Sequence, residues 1–379
     1  MAIAAAHFGI FISIISGRTA GGFMEQGIQL FSSTVIEAVA KNKRFLKNRP
    51  AYILPFARIA DRIKKSAAVR EAFARDEGLV VPPALILSVT NDCNLACAGC
   101  YACSQQRDRS AELSMDDIRR IVGEAVALGV CIVMIAGGEP LLKPEILSLP
   151  RAFPDTLFVM FTNGLLLDSP AAQAAARIRN LIPVISLEGG RELTDERRGE
   201  GVYDAVTAVM RRLDSDKRMF GVSVTLTSRN YDDVIRSDYL KSMQTLGCRA
   251  AFLIEYVPCG AEDEALCLTQ AQKTHLRQIE KQLYRQYDML VVSLPGNEDP
   301  YGGCLASGRG FLHISSTGAL EPCPFAPWSD VSVKDTPLKT ALQSRLLKKI
   351  REGHEMLRES RGGCALKENA AWVAALQKD

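Results

Sequence analysis

Between residues 84 and 257 the chain alternates short, continuously apolar runs with longer amphipathic stretches. The runs cover 84–90, 130–136, 157–162, 183–187, 221–226 and 251–257. Apolar runs of this length without polar alternation fit strands buried on both faces. The stretches between them carry a helical period. Over 114–126, Ser114 stands where an N-cap belongs and Asp117 follows three residues later. Ile118, Ile121, Val122, Ala125 and Val126 then fall on one face. Val202, Ala205, Val206, Val209 and Leu213 repeat the pattern. Six alternations predict an α/β architecture: a parallel sheet covered by helices and wholly or partly closed into a barrel. Functional side chains in such folds gather at the C-terminal ends of the strands.

The flanks read differently. Residues 1–83 form a helical N-terminal region. Its first 17 residues are nearly uncharged and carry Phe8, Ile10, Phe11, Ile12, Ile14 and Ile15. No basic segment precedes that run, so it does not read as a signal peptide. His7, Gly9 and Ser13 interrupt it before Arg18, so it is too short to cross a membrane. It reads first as a helix buried against the body or a partner. The alternative is a peripheral membrane contact, because Lys41, Lys43, Arg44, Lys47 and Arg49 follow without an acid. Residues 291–379 form a small C-terminal unit. There 312–315 and 319–321 flank Ser316-Thr317-Gly318, a hairpin signal, and Leu338, Leu342, Leu346, Leu347 and Ile350 line one face of a helix. The core lies between, at 84–290.

Charge and composition narrow the partners. The 379 residues hold 46 Lys plus Arg against 43 Asp plus Glu, a net charge of +3, with aromatics at 7%. This is no electrostatic footprint for dedicated nucleic-acid binding. The eleven cysteines change the picture more. An odd number cannot pair completely, and Cys131 and Cys248 sit singly in apolar runs. Cys93, Cys97, Cys100 and Cys103 crowd together, which points to a metal or redox site in a reducing, cytoplasmic setting. Three thiolates at i, i+4 and i+7, in a loop ending the first strand, suit an iron–sulfur cluster. Three protein ligands on a four-iron cube leave one iron for an exogenous molecule.

The spacing Cys93-x3-Cys97-x2-Cys100 after the first strand resembles the signature of the radical S-adenosylmethionine (radical SAM) superfamily. Gly137-Gly138-Glu139-Pro140 at the second strand end resembles its GGEP motif. Thr162-Asn163-Gly164 at the third is similar to its T-N-G. Ser186-Leu187-Glu188-Gly189 at the fourth resembles its S-x-D-G, and Arg198 precedes Gly199 and Gly201 as in its R-G-x-G. The resemblance implies a partial (β/α)6 TIM-like barrel and a 4Fe–4S cluster that binds SAM. It further implies reductive cleavage of SAM to a 5′-deoxyadenosyl radical, hydrogen abstraction from a substrate, and a reductant such as flavodoxin or ferredoxin. It assigns Gly137, Gly138, Glu139 and Pro140 to the methionine end, with Glu139 as acceptor for its ammonium. Ser186 and Glu188 would face the ribose, and Asn163 and Arg198 would line the same cofactor. Gly99, before the third cysteine, departs from the aromatic that many relatives carry there.

A second set, Cys304-x13-Gly318-x4-Cys323 with distant Cys364, resembles SPASM/twitch extensions and implies one auxiliary 4Fe–4S cluster in a small α+β twitch-like domain. Its fourth ligand is open among Cys259, Cys267, His313 and the substrate. Cys103 reads as a bystander. In the alternative register, Cys97-x2-Cys100-x2-Cys103, no further Cys-Pro follows, which argues against a ferredoxin-like electron carrier or binding protein without SAM chemistry. The four scattered histidines read as satisfied or solvated residues, and Tyr256 and Arg309 are expected at the barrel mouth. The substrate class stays open: peptide or protein side chain, small metabolite, or lipid at a membrane surface.

Overall fold

A computed structural model describes residues 49–294, 303–357 and 363–378; the 1–17 run, His7 and four of the five N-terminal cations lie outside them. The fifth, Arg49, is held by Asp214 at 2.7 Å. Nine strands make one sheet: β1 (Ala84–Ser88), β2 (Ile132–Ala136), β3 (Leu157–Thr162), β4 (Leu181–Leu187), β5 (Gly221–Leu226), β6 (Ala250–Glu255), β7 (Leu290–Leu294), β8 (Phe311–Ile314) and β9 (Leu320–Glu321). Their order is β7-β6-β5-β4-β3-β2-β1-β8-β9. The curled sheet is a partial TIM-type barrel. β1 to β7 run parallel in sequence order, with helices in the connections. The Ser114–Asp117 capping box opens the Met115–Ala127 helix as its sequence requires.

Two features go beyond the six-strand expectation. The expected boundary at 290–291 falls inside β7, whose apolar run is short. The C-terminal hairpin is also no separate sheet, since β8 pairs in parallel with β1, placing Ala84 opposite Phe311. A partial barrel leaves the outer edge of β1 with unpaired N–H and C=O groups, and β8 satisfies them. Gly318, at φ +89°, makes the turn into β9.

The two faces of each strand go to different cores. Leu85, Leu87, Val133, Ile135, Phe158, Met160, Ile185 and Leu187 point outward and pack under the helices. Alternate positions point into the barrel. Near the strand starts these are Ala84, Ile132, Leu157, Val159, Ile182 and Val184, which pack with Tyr52, Phe56, Ile59 and Ile63. The Ile53–Glu77 helix and the turn before it therefore floor the barrel. Each such buried side chain contributes about 1.5–3 kcal/mol. Higher up, the inward positions Ile86, Met134, Ala136, Ser186, Ser223 and Thr225 are not filled by protein and line a cavity. Among the described residues, no helix is long and apolar enough to cross a membrane.

Candidate active site

The cavity, of about 660 Å³, lies at the C-terminal strand ends. Its size is in the range of small-molecule sites. Cys93, Cys97, Cys100, Cys103, Cys304, Cys323 and Cys364 all line it. The sequence spreads these thiols over more than two-thirds of the chain, and the fold brings them to one space.

The loop after β1 carries the first three, and neighbouring strand ends brace it. Gly138 N–H donates to the Thr90 carbonyl (2.7 Å) and Glu139 N–H to the Asp92 carbonyl (2.8 Å). A Cβ on Gly137 would stand 2.3 Å from Thr90 O, and one on Gly138 2.0 Å from Asp92 O. The paired glycines are thus required by the contact between this turn and the cysteine loop. Glu112 accepts from Asn91 N–H at 2.6 Å and is paired with Lys143 at 2.6 Å. Arg197 clasps Ala98 in both directions, its carbonyl accepting from Ala98 N–H and its Nε donating to the Ala98 carbonyl, each at 3.0 Å.

Glu139 is fully buried. Its Oε1 accepts from Thr162 Oγ1 (2.8 Å) and Leu141 N–H (3.0 Å), and its Oε2 from Asn163 N–H (2.8 Å). Burial pushes its carboxyl upward while these donors pull it down. The carboxylate is a strut between β2 and β3; the part of the turn that faces the cavity is the Gly137–Gly138 backbone. Pro140 is buried and starts the next turn. Asn163 carries the strut onward, its Nδ2 donating to Asn94 Oδ1 at 2.7 Å and lying 3.9 Å from Cys93 Sγ.

Ser186 lines the cavity and shares a 3.1 Å hydrogen bond with Ser223. Glu188 is turned away from it, with Oε1 taken by Arg198 Nε at 2.9 Å and Arg197 Nη1 at 2.8 Å. Oε2 is a buried acceptor without a protein donor. Arg198 reaches to 4.0 Å from Cys97 Sγ. Burial raises the Cys97 thiol, and Arg198 and Arg197 oppose it, so two guanidiniums wait beside a group that must become a thiolate.

The C-terminal thiols are held by packing. Cys323 and Cys364 are buried, and Cys304 partly so, in an apolar cluster with Ala326, Leu346, Ile350, Leu357 and Leu366. Arg309 clamps the Cys304 loop through the Gly303 and Cys304 carbonyls (3.1 and 2.7 Å), so it does not occupy the mouth. Tyr256 is also buried below the mouth, its hydroxyl 2.4 Å from where a Gly99 Cβ would stand. That contact accounts for glycine before the third cysteine. His313 is spoken for as well: Nε2 meets Ser88 Oγ and Nδ1 meets Glu321 Oε2, both at 2.8 Å. His275 pairs with the Tyr231 hydroxyl, and His354 with the Arg351 carbonyl.

Sequence reasoning missed the Lys273–Glu255 pair on the cavity wall, at 3.2 Å with Lys273 8% exposed. A signal existed, because Lys273 stands on the apolar face of its helix, three residues before buried Leu276. It also missed Arg107, whose guanidinium grips buried Glu321.

The donor set fits the group it suggests. Three soft thiols share one wall beside a cation pair, as an iron–sulfur cluster needs. Among the described residues no three His, Cys, Asp or Glu side chains converge as ligands of one ion would. A cube does not require that, since each thiolate binds its own iron.

Comparison with known proteins decides the family. Residues 87–237 match the Radical SAM superfamily model. The chain belongs to the radical SAM superfamily. The AdoMet-dependent heme synthase of Methanosarcina barkeri is 25% identical over 76% of this chain and 88% of that protein. The mycofactocin maturase MftC of Mycobacterium tuberculosis is 34% identical over 41% of this chain and 40% of its own. Streptococcus suis SuiB bound to S-adenosylmethionine shares the fold at a TM-score of 0.61 and 16% identity, covering 80% of this chain and 78% of SuiB. SuiB bound to its precursor peptide SuiA superposes at 0.60, with 17% identity and coverage of 81% and 74%. This radical SAM protein is therefore an enzyme of a family that uses a 4Fe–4S cluster with SAM, and the reading as a simple electron carrier falls away.

Proposed function

We propose that Cys93, Cys97 and Cys100 hold the SAM-binding 4Fe–4S cluster and that a second cluster sits on Cys304, Cys323 and Cys364. The observation that carries this is two sets of thiols facing one cavity. When bound, SAM and the reduced cluster supply a 5′-deoxyadenosyl radical, which takes a hydrogen atom from the substrate. The chain's own residues do the rest. Gly137 and Gly138 offer main chain to the methionine end, with Glu139 and Asn163 stiffening the turn behind them. Arg197 and Arg198 offset thiolate charge. Ser186 offers a hydroxyl to the sugar, and the buried Glu188 Oε2 is an acceptor in reserve. The floor helix keeps water from entering beneath the reacting atoms.

For the substrate we infer an anionic molecule, because Lys273 and Arg277, one helical turn apart, both line the cavity. Heme synthases among the relatives make a carboxylate-bearing tetrapyrrole the first candidate, with Fe-coproporphyrin III as a probe. SuiB with its precursor peptide favours a peptide as the second reading.

Anaerobically reconstituted protein is expected to bind about seven to eight irons. With dithionite and SAM it should release 5′-deoxyadenosine, and Cys93→Ala should not. Loaded wild-type protein that leaves SAM intact would sink the proposal. Fe-coproporphyrin III should quench Trp fluorescence on binding, and Lys273→Met should weaken it about tenfold, the loss of one charge-assisted contact of roughly 1.4 kcal/mol.

A further inference from the structure

We propose that Cys103 completes the second cluster as its fourth protein ligand, beside Cys304, Cys323 and Cys364. This rests on the reading that those three thiols hold a cluster. The observation behind it is how the segment after the first cysteine loop lies against the segment around Cys323. Three contacts fix the alignment. The Arg107 guanidinium forks onto Glu321, at 2.7 and 2.8 Å. Gln105 Nε2 donates to the Pro324 carbonyl at 2.7 Å. The Tyr101 ring meets Phe325 edge-on at 4.6 Å. The two segments run in opposite directions, with 107 beside 321, 105 beside 324 and 101 beside 325. Cys103 lies midway between Tyr101 and Gln105, and Cys323 adjoins Pro324, so this register brings Cys103 up to the Cys323 corner.

Exposure and lining agree. Cys103 is exposed, and it faces the cavity together with Cys304, Cys323 and Cys364. The other candidates point elsewhere. Cys259 aims its thiol at the Gly99 and Val257 carbonyls (3.7 and 4.0 Å) and, like Cys267, is not on the cavity wall. His313 has both ring nitrogens engaged.

The consequence is chemical. Three thiolates would leave one iron open to bind substrate, whereas a fourth closes the cluster and confines it to moving electrons. Cys103 would lose its proton to solvent on binding iron. Cys100 caps the Tyr101–Ser104 helix that carries Cys103, so one helical turn would tie the two clusters together.

The test uses full-length protein with Cys93, Cys97 and Cys100 all changed to Ala, reconstituted anaerobically. It should retain about four irons per chain, and adding Cys103→Ala should reduce this to about three, with the electron paramagnetic resonance signal of a 3Fe–4S cluster. Cys103→Ser, which keeps an oxygen donor, should hold the iron but change that spectrum and the midpoint potential. Because Cys103 is exposed, circular dichroism should be the same in all of these variants. Unchanged iron, spectrum and potential in Cys103→Ala would overturn the assignment. So would iron loss in Cys259→Ala instead. If the triple variant with Cys103 intact holds no iron, the second cluster itself is refuted, and this ligand with it. In protein lacking Cys304, Cys323 and Cys364, Cys103→Ala should leave the remaining cluster intact; its loss there would place Cys103 on the first site and defeat the proposal.

Discussion

The two thiol sets are built by opposite means. Cys93, Cys97 and Cys100 come from one loop of eight residues, and hydrogen bonds to the ends of neighbouring strands hold that loop. Cys304, Cys323 and Cys364 come from three separate turns, and apolar packing among Leu346, Ile350, Leu357 and Leu366 gathers them. The first site is therefore written in local spacing. The second exists only once the C-terminal region has collapsed. A local site is fragile to changes in backbone contact, and an assembled one to changes in packing volume.

The sharpest way to break this contrast is to remove one thiol from each side. Cys97→Ala should abolish 5′-deoxyadenosine formation and the iron of the first site. Cys364→Ala should leave SAM cleavage measurable while removing iron from the second. Equal loss in both would mean that the two sites are not separable.

Next in size is Gly138→Ala, since its methyl group would land on the Asp92 carbonyl. Overpacking of this kind costs about 1–3 kcal/mol. Denaturant melts should show that loss, with iron depleted from the first site only. Leu346→Ala should do the reverse, costing about 2–5 kcal/mol through a cavity and loosening only the second set.

Glu139→Gln is expected to cost about 1–3 kcal/mol, because an amide N–H would face backbone donors. Glu139 also marks the pH dependence. Burial raises its carboxyl in the folded state, so its contribution is full below the ordinary carboxylate value of about 4.3 and is lost as pH rises through the higher folded value. The variant should lack that step in a pH series of melts. The smallest effect belongs to Arg49→Ala, at most about 1 kcal/mol, because Asp214 is 41% exposed.

Much of this was legible before any coordinates. Continuous apolar runs gave the strands, Ser114 and Asp117 gave a helix start, and cysteine spacing gave the first site. What was not legible depends on direction and register. Glu139 sits at a strand end, where pattern says cavity, yet its side chain turns inward to β3 because Thr162 and Asn163 offer donors there. Glu188 likewise turns to two arginines. β7 was hidden because its apolar run is short, and β8 because a hairpin signal does not say which sheet it joins. The pairing of 101–107 with 321–325 is a long-range register, which no local spacing encodes.

The floor helix has one more effect. Tyr52, Phe56, Ile59 and Ile63 make the barrel a blind vessel, sealed at its base, so molecules arriving from the strand-end side must queue. What lodges deepest has to enter first and depart last, and a reactive fragment born there finds no back door through which to escape unused.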